Sequence, residues 1–129
     1  MSNELNGKRV LWVEDDEFLG TIVEKKLLAK QCILTHVTTG EQALKYLDTN
    51  LVDIIVLDIV LPGMSGFEIL KHIKSAEKLK EVPVVLLSNL NRPEDMEMGV
   101  KLGAERFLVK ATLSLDDIVD QIADTLHKQ

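Results

Sequence analysis

The chain has 129 residues, 46% of them apolar, which is enough to bury one core, so a single domain over residues 1–129 is expected, its folded core spanning about 8–126. A formal charge of −6 argues against unaided nucleic-acid binding, which needs clustered Lys and Arg to neutralise phosphates. Residues 1–8 lack the apolar run of a secretory leader, and no stretch of about 18 apolar residues is available to span a bilayer; the one cysteine, Cys32, has no internal disulfide partner, so a cytoplasmic protein without a membrane role is expected.

Five short apolar runs read as strands: 10–13, 33–37, 54–57, 84–87 and 107–109. Four are nearly continuous in Val, Ile and Leu, as in parallel strands covered on both faces; Ile33-Leu34-Thr35-His36-Val37 is more mixed and belongs at an edge. After the first strand, Leu19, Ile22, Val23 and Leu27 recur at helical spacing. Thr39 with Gln42 and Ser65 with Glu68 mark the starts of the second and third helices by the capping-box rule. Pro93 suits the first turn of a fourth helix that Gly103 should end, and Gly99 inside it costs about 1 kcal/mol relative to Ala. Met96 and Met98 on that helix read first as core filling, and secondly as an adaptable partner surface. Ser114 with Asp117 opens the last helix, whose face is Leu115, Ile118, Val119, Ile122 and Leu126. Strand then helix, five times over, implies right-handed crossovers and an open, doubly wound parallel sheet, in which ligands collect at the carboxyl ends of the strands.

The residues at those ends are Glu14, Asp15 and Asp16 after the first strand, Asp58 at the third, Ser88 after the fourth and Lys110 after the fifth. Carboxylates from two neighbouring strands repel one another and call for a cation. Oxygen-only ligation, with no Cys and His cluster for zinc, points to Mg2+. A hydroxyl and an ammonium on the same rim complete a site for a phosphoryl group. Each residue also has an ordinary reading: strand-end carboxylates are often solvation or caps, Ser88 a turn hydroxyl, Lys110 a solvated lysine, Phe107 and Trp12 core. His36, His72 and His127 share no motif and read as structural or solvated, and Cys32 as a small buried or half-buried side chain.

The constellation resembles a known family. Val10-Leu11-Trp12-Val13-Glu14-Asp15-Asp16 is similar to the first strand and acidic pair of response-regulator receiver domains. Asp53-Ile54-Ile55-Val56-Leu57-Asp58 with Leu61-Pro62-Gly63-Met64-Ser65-Gly66 is similar to their phosphoacceptor strand and loop, and Ser88 and Lys110 stand at the family's hydroxyl and lysine. The resemblance implies a flavodoxin-like (βα)5 fold with strand order 2-1-3-4-5. It implies Asp58 as acceptor of phosphate from a sensor histidine kinase or phosphotransfer protein in a phosphorelay. Mg2+ would be held by Asp15, Asp58 and the Val60 backbone carbonyl, with Glu14 acting mainly through metal-bound water and Asp16 just outside. Lys110 would pair with Asp58 and then with the phosphoryl group. Ser88 and Phe107 would form the switch that alters the face of helix four, strand five and helix five, where an unidentified downstream protein or a second copy in a homodimer would bind.

The chain departs from the family where Lys110 is followed by Ala111 rather than proline, which leaves that peptide's geometry open, and where Asn89 replaces a smaller residue. The two positions that tune acyl-phosphate hydrolysis in the family are apolar here, Val60 and Leu90, so slow self-dephosphorylation is expected. A signalling switch, chemically active only on its own Asp58, is weighed against a magnesium-dependent phosphatase, which usually adds an acid where Val60 stands. The other alternative is a degenerate receiver, opposed by the intact Glu14, Asp15, Asp58, Ser88 and Lys110. Whether the chain is a stand-alone regulator or the receiver piece of a longer one is open.

Overall fold

The computed structural model describes residues 5–128; the reading of the N-terminus rests partly on residues 1–4, which lie outside them. Strands and helices alternate: β1 (Arg9–Val13), α1 (Glu17–Ala29), β2 (Ile33–Val37), α2 (Gly40–Thr49), β3 (Ile54–Asp58), α3 (Gly66–Ser75), β4 (Val84–Ser88), α4 (Pro93–Lys101), β5 (Arg106–Val109) and α5 (Leu115–His127), with a short 3-10 turn at Lys110–Thr112. Every ladder is parallel and the order is β2-β1-β3-β4-β5, the doubly wound, flavodoxin-like arrangement expected.

Successive side chains of a strand point to opposite faces, so a run of apolar residues feeds two cores at once. Trp12, Ile54, Val56, Val85 and Leu87 pack with Val23 and Leu27 of α1 and Ile118 and Ile122 of α5. Leu11, Val13, Ile55, Leu57, Val84 and Leu86 pack with Ala43 and Leu47 of α2 and Ile69 and Ile73 of α3. All residues of β3 and β4 are buried, as their unbroken apolar sequences demand, whereas β2 lies at an edge and buries none fully. Cys32 is buried, its Sγ 3.2 Å from the Lys8 carbonyl, and burial pushes the thiol up to about 11.

The helix starts fall where the hydroxyl residues put them. Ser114 and Asp117 form a complete capping box on α5. Thr39 and Ser65 accept the N–H groups of Gln42 and Glu68, but the return bond from Gln42 goes to the Thr38 N–H. The α1 cap is Asp16, which accepts from the Leu19 N–H.

On α4 the core-filling expectation for the two methionines is not met: Met96 is 40% and Met98 42% exposed. The helix meets the sheet through Gly99, its one buried residue, where a Cβ would stand 2.9 Å from Leu86 Cδ1 and 3.6 Å from Phe107 Cδ2. Gly103, at φ +97°, ends the helix as expected.

Candidate functional site

The carboxyl ends of β1, β3, β4 and β5 bring the polar strand-end residues to one rim. Asp58 closes β3 and is 4% exposed; Glu14 follows β1 and is 1% exposed; Asp15, beside it, is exposed. One carboxylate oxygen from each of Glu14, Asp15 and Asp58 lies within 4.8 Å of the others. Lys110, the first residue after β5, places Nζ 2.7 Å from Glu14 Oε1 and 2.8 Å from Asp58 Oδ2. The Val60 N–H donates to the other Asp58 oxygen, Oδ1, at 3.1 Å.

The loop after β3 is drawn tight against α3. The Gly66 N–H donates to the Ile59 carbonyl at 2.8 Å, and no side chain fits at position 66, because a Cβ would fall 2.3 Å from the Asp58 carbonyl oxygen. That contact fixes the backbone from which the Asp58 carboxylate projects.

Three carboxylates against one ammonium leave an excess of negative charge in a mostly buried place. Burial foremost, and then the Asp58 carboxyl, hold Glu14 up to about 7 against the pull of Lys110. Burial works to lower the Lys110 pKa, but its bonds to Asp58 and Glu14 prevail and it is raised. The donor set is entirely oxygen, with a partly solvated edge at Asp15, which suits a hard divalent ion that keeps some of its water. The residues thus fit magnesium.

Ser88 ends β4 on the same rim and is buried, but its hydroxyl is engaged locally: it donates to the Leu90 carbonyl at 2.9 Å and accepts from the Leu90 N–H at 3.0 Å. Phe107 sits opposite Leu86 in the β4–β5 ladder, half-buried against the α2–α3 side of the core. Val60 and Leu90 expose their side chains, at 75% and 51%. The peptide bonds are trans among the described residues, Lys110–Ala111 included.

Lys110, expected to pair with Asp58, has Glu14 as a second partner. Asp16, expected just outside the metal's ligands, caps α1 by accepting from the Leu19 N–H. His36, read as structural or solvated, holds the Glu14 carbonyl through Nε2 at 2.7 Å.

No helix among the described residues is long and apolar enough to cross a membrane. The two-component response regulator ARR17 of Arabidopsis thaliana is 38% identical over 130 residues, covering 92% of this chain and 82% of that protein. The rice regulator ORR3 is 39% identical over 103 residues, 78% of each chain. The receiver domain of Francisella response regulator 1452 superposes with a TM-score of 0.84 at 28% identity, over 95% of this chain and 98% of that one. The family model for the response regulator receiver domain matches residues 10–123, nearly the whole sheet and its helices, and on these grounds the chain belongs to the receiver domains of two-component response regulators.

Proposed function

We propose that Asp58 accepts a phosphoryl group and that the chain, read as one receiver domain in the cytoplasm, works as a phosphorylation-dependent switch rather than as an enzyme acting on outside substrates. The observation that carries this is the environment of Asp58: a buried carboxylate at a strand end, one oxygen on Lys110 Nζ at 2.8 Å and the other on the Val60 N–H at 3.1 Å, beside two further carboxylates.

A carboxylate oxygen of Asp58 attacks phosphorus, a P–O bond forms, and the P–N bond of a phosphohistidine on a sensor kinase or phosphotransfer protein breaks. The electron pair leaves with the imidazole nitrogen, which takes up a proton. Asp15, Asp58 and the Val60 carbonyl would hold Mg2+, with Glu14 acting mainly through its bound water, and the ion would offset the carboxylate charge and supply positive charge to the phosphoryl oxygens. Lys110 orients Asp58 before transfer and then offers its ammonium to the phosphoryl oxygens. Ser88 exchanges its two bonds to Leu90 for one to the phosphoryl group. Ser88 and Phe107 approach the same side of the sheet through Leu86, so a move of the hydroxyl frees the ring to turn beneath α4. Met96, Met98 and Val100, exposed on α4, make the α4–β5–α5 face the natural surface for a state-dependent partner, whether a downstream protein or a second copy.

Incubation with acetyl phosphate and magnesium, read by intact mass, tests the proposal. The expected result is one added phosphoryl group on the unsubstituted chain and none on Asp58→Ala. No gain on either points to a degenerate module, and sustained turnover of an added phosphoester points to a phosphatase.

A further inference from the structure

We propose that His36 is a positioning residue for the acidic pocket, seated in a notch that only glycine at position 20 leaves open; the inference rests on the reading of Glu14 and Asp15 as carboxylates that hold the metal. Both backbone groups of Glu14 are tied to β2. Its N–H donates to the Val37 carbonyl at 3.0 Å, and its carbonyl lies 2.7 Å from His36 Nε2. A carbonyl can only accept, so the hydrogen is on Nε2. Because Glu14 is buried, removing that donor leaves a desolvated carbonyl without its bond unless the loop shifts.

The ring is fixed in turn by what surrounds it. Trp12 and His36 are register partners, and Trp12 packs with Val23 and Leu27, so the imidazole stands on the α1 side of the sheet. There α1 passes against it: a Cβ on Gly20 would fall 2.3 Å from Cε1, 2.4 Å from Nδ1 and 2.9 Å from Nε2. A glycine inside a helix costs about 1 kcal/mol relative to alanine. Here the space it leaves is filled by the ring. The Gly20 N–H also donates to the Asp16 carbonyl at 3.0 Å, so the acidic segment is held at one end by His36 and at the other by the first turn of the same helix. Asp15, exposed and between these two anchors, keeps its place relative to Glu14 through them. Groups that orient metal ligands without touching the metal act in this way.

The test is a magnesium titration by calorimetry on the full chain and on His36→Leu, His36→Gln, Gly20→Ala and the Gly20→Ala/His36→Leu double variant. Melting temperatures and amide exchange of residues 14–16 in chelator are measured beside it. His36→Leu should weaken magnesium by roughly tenfold and speed exchange in the loop. His36→Gln, whose amide can still donate to the Glu14 carbonyl, should recover much of the affinity. Gly20→Ala alone should weaken binding by displacing the ring, while the double variant should bind no worse than His36→Leu, since its methyl has no ring to displace. Lower melting temperatures with unchanged magnesium affinity and unchanged loop exchange would overturn the inference, as would Leu and Gln variants equally impaired or a strictly additive double. Absence of magnesium binding by the unsubstituted chain would overturn the metal reading and this inference together, whereas equal binding by wild type and His36→Leu would overturn only the inference.

Discussion

The backbone of Asp58 and Gly66 touch so closely that a methyl on Gly66 would lie 2.3 Å from the Asp58 carbonyl oxygen and 2.7 Å from Ile59 Cα. Both atoms are main chain and cannot step aside as a side-chain tip would. Gly66→Ala should therefore push α3 away from the end of β3, at a cost of about 1 to 3 kcal/mol or more. The checks are a lower urea midpoint and slower phosphorylation of Asp58. An unchanged midpoint would mean that the loop of residues 59–65 absorbs the methyl.

Lys110 is the cation that Glu14 and Asp58 share, and it is itself largely buried. Replacing it by methionine keeps most of the volume and removes the charge, leaving two desolvated carboxylates facing one another. Breaking a buried pair from one side costs roughly 3 to 5 kcal/mol. Lys110→Met should accordingly unfold at lower urea concentration in magnesium-free buffer at neutral pH, and should no longer be phosphorylated by acetyl phosphate. Magnesium should raise the midpoint of this variant more than that of the wild type, since the ion then supplies the only positive charge in the pocket.

Cys32 gives a pH dependence whose sign is fixed. Its thiol is raised from 9.0 to about 11 in the fold, chiefly by burial, so between those values the native state keeps a proton that the unfolded chain gives up. That contribution to stability is fully present below pH 9.0 and is lost as the pH rises toward about 11. Urea midpoints measured across this window should fall more steeply for the wild type than for Cys32→Ala, the difference isolating the thiol from the rest of the protein. Alkylation of Cys32 should be slow in the native protein and fast in denaturant.

Val60 and Leu90 expose apolar side chains on the rim that carries Asp58 and Ser88, where neither can hold a water for attack on an acyl phosphate. The phosphorylated chain should decay over many minutes or longer, followed by intact mass after removal of the phosphodonor. Val60→Glu, which restores a group able to orient or activate water, should shorten the lifetime by roughly tenfold or more. A wild-type half-life of seconds would refute the assignment of slow decay to these two residues.

The sheet was legible because burial on two faces leaves a direct trace: Ile54-Ile55-Val56-Leu57 and Val84-Val85-Leu86-Leu87 have no polar residue to expose, and both strands lie in the interior of the sheet. Thr35 and His36 break that pattern, and β2 is at the edge. The strand-end residues were legible for a related reason, since an open parallel sheet sends its carboxyl ends to one side. What escaped was pairwise. Glu14 and Lys110 are 96 positions apart, and no local pattern announces that they meet. The bond from His36 to Glu14 depends on a glycine in a third element. The methionines of α4 were misjudged because helical spacing states which face is apolar, not how near the helix lies to the sheet. Gly99 sets that distance, and Met96 and Met98 stay exposed.

Ser88 begins with both its proton and a lone pair given to Leu90. Any approach of that hydroxyl to a phosphoryl group on Asp58 exchanges two bonds of about 1 kcal/mol each for others, so the gap between its two positions is set before any signal arrives. A gap of about 2 kcal/mol leaves a few per cent of unphosphorylated molecules with the hydroxyl already moved. If Ser88 is the switch proposed above, residues 88–90 set the background level of the active state. Substitution at Leu90 or Asn89 that strains this turn should raise background output in the absence of phosphodonor, with the acidic pocket untouched.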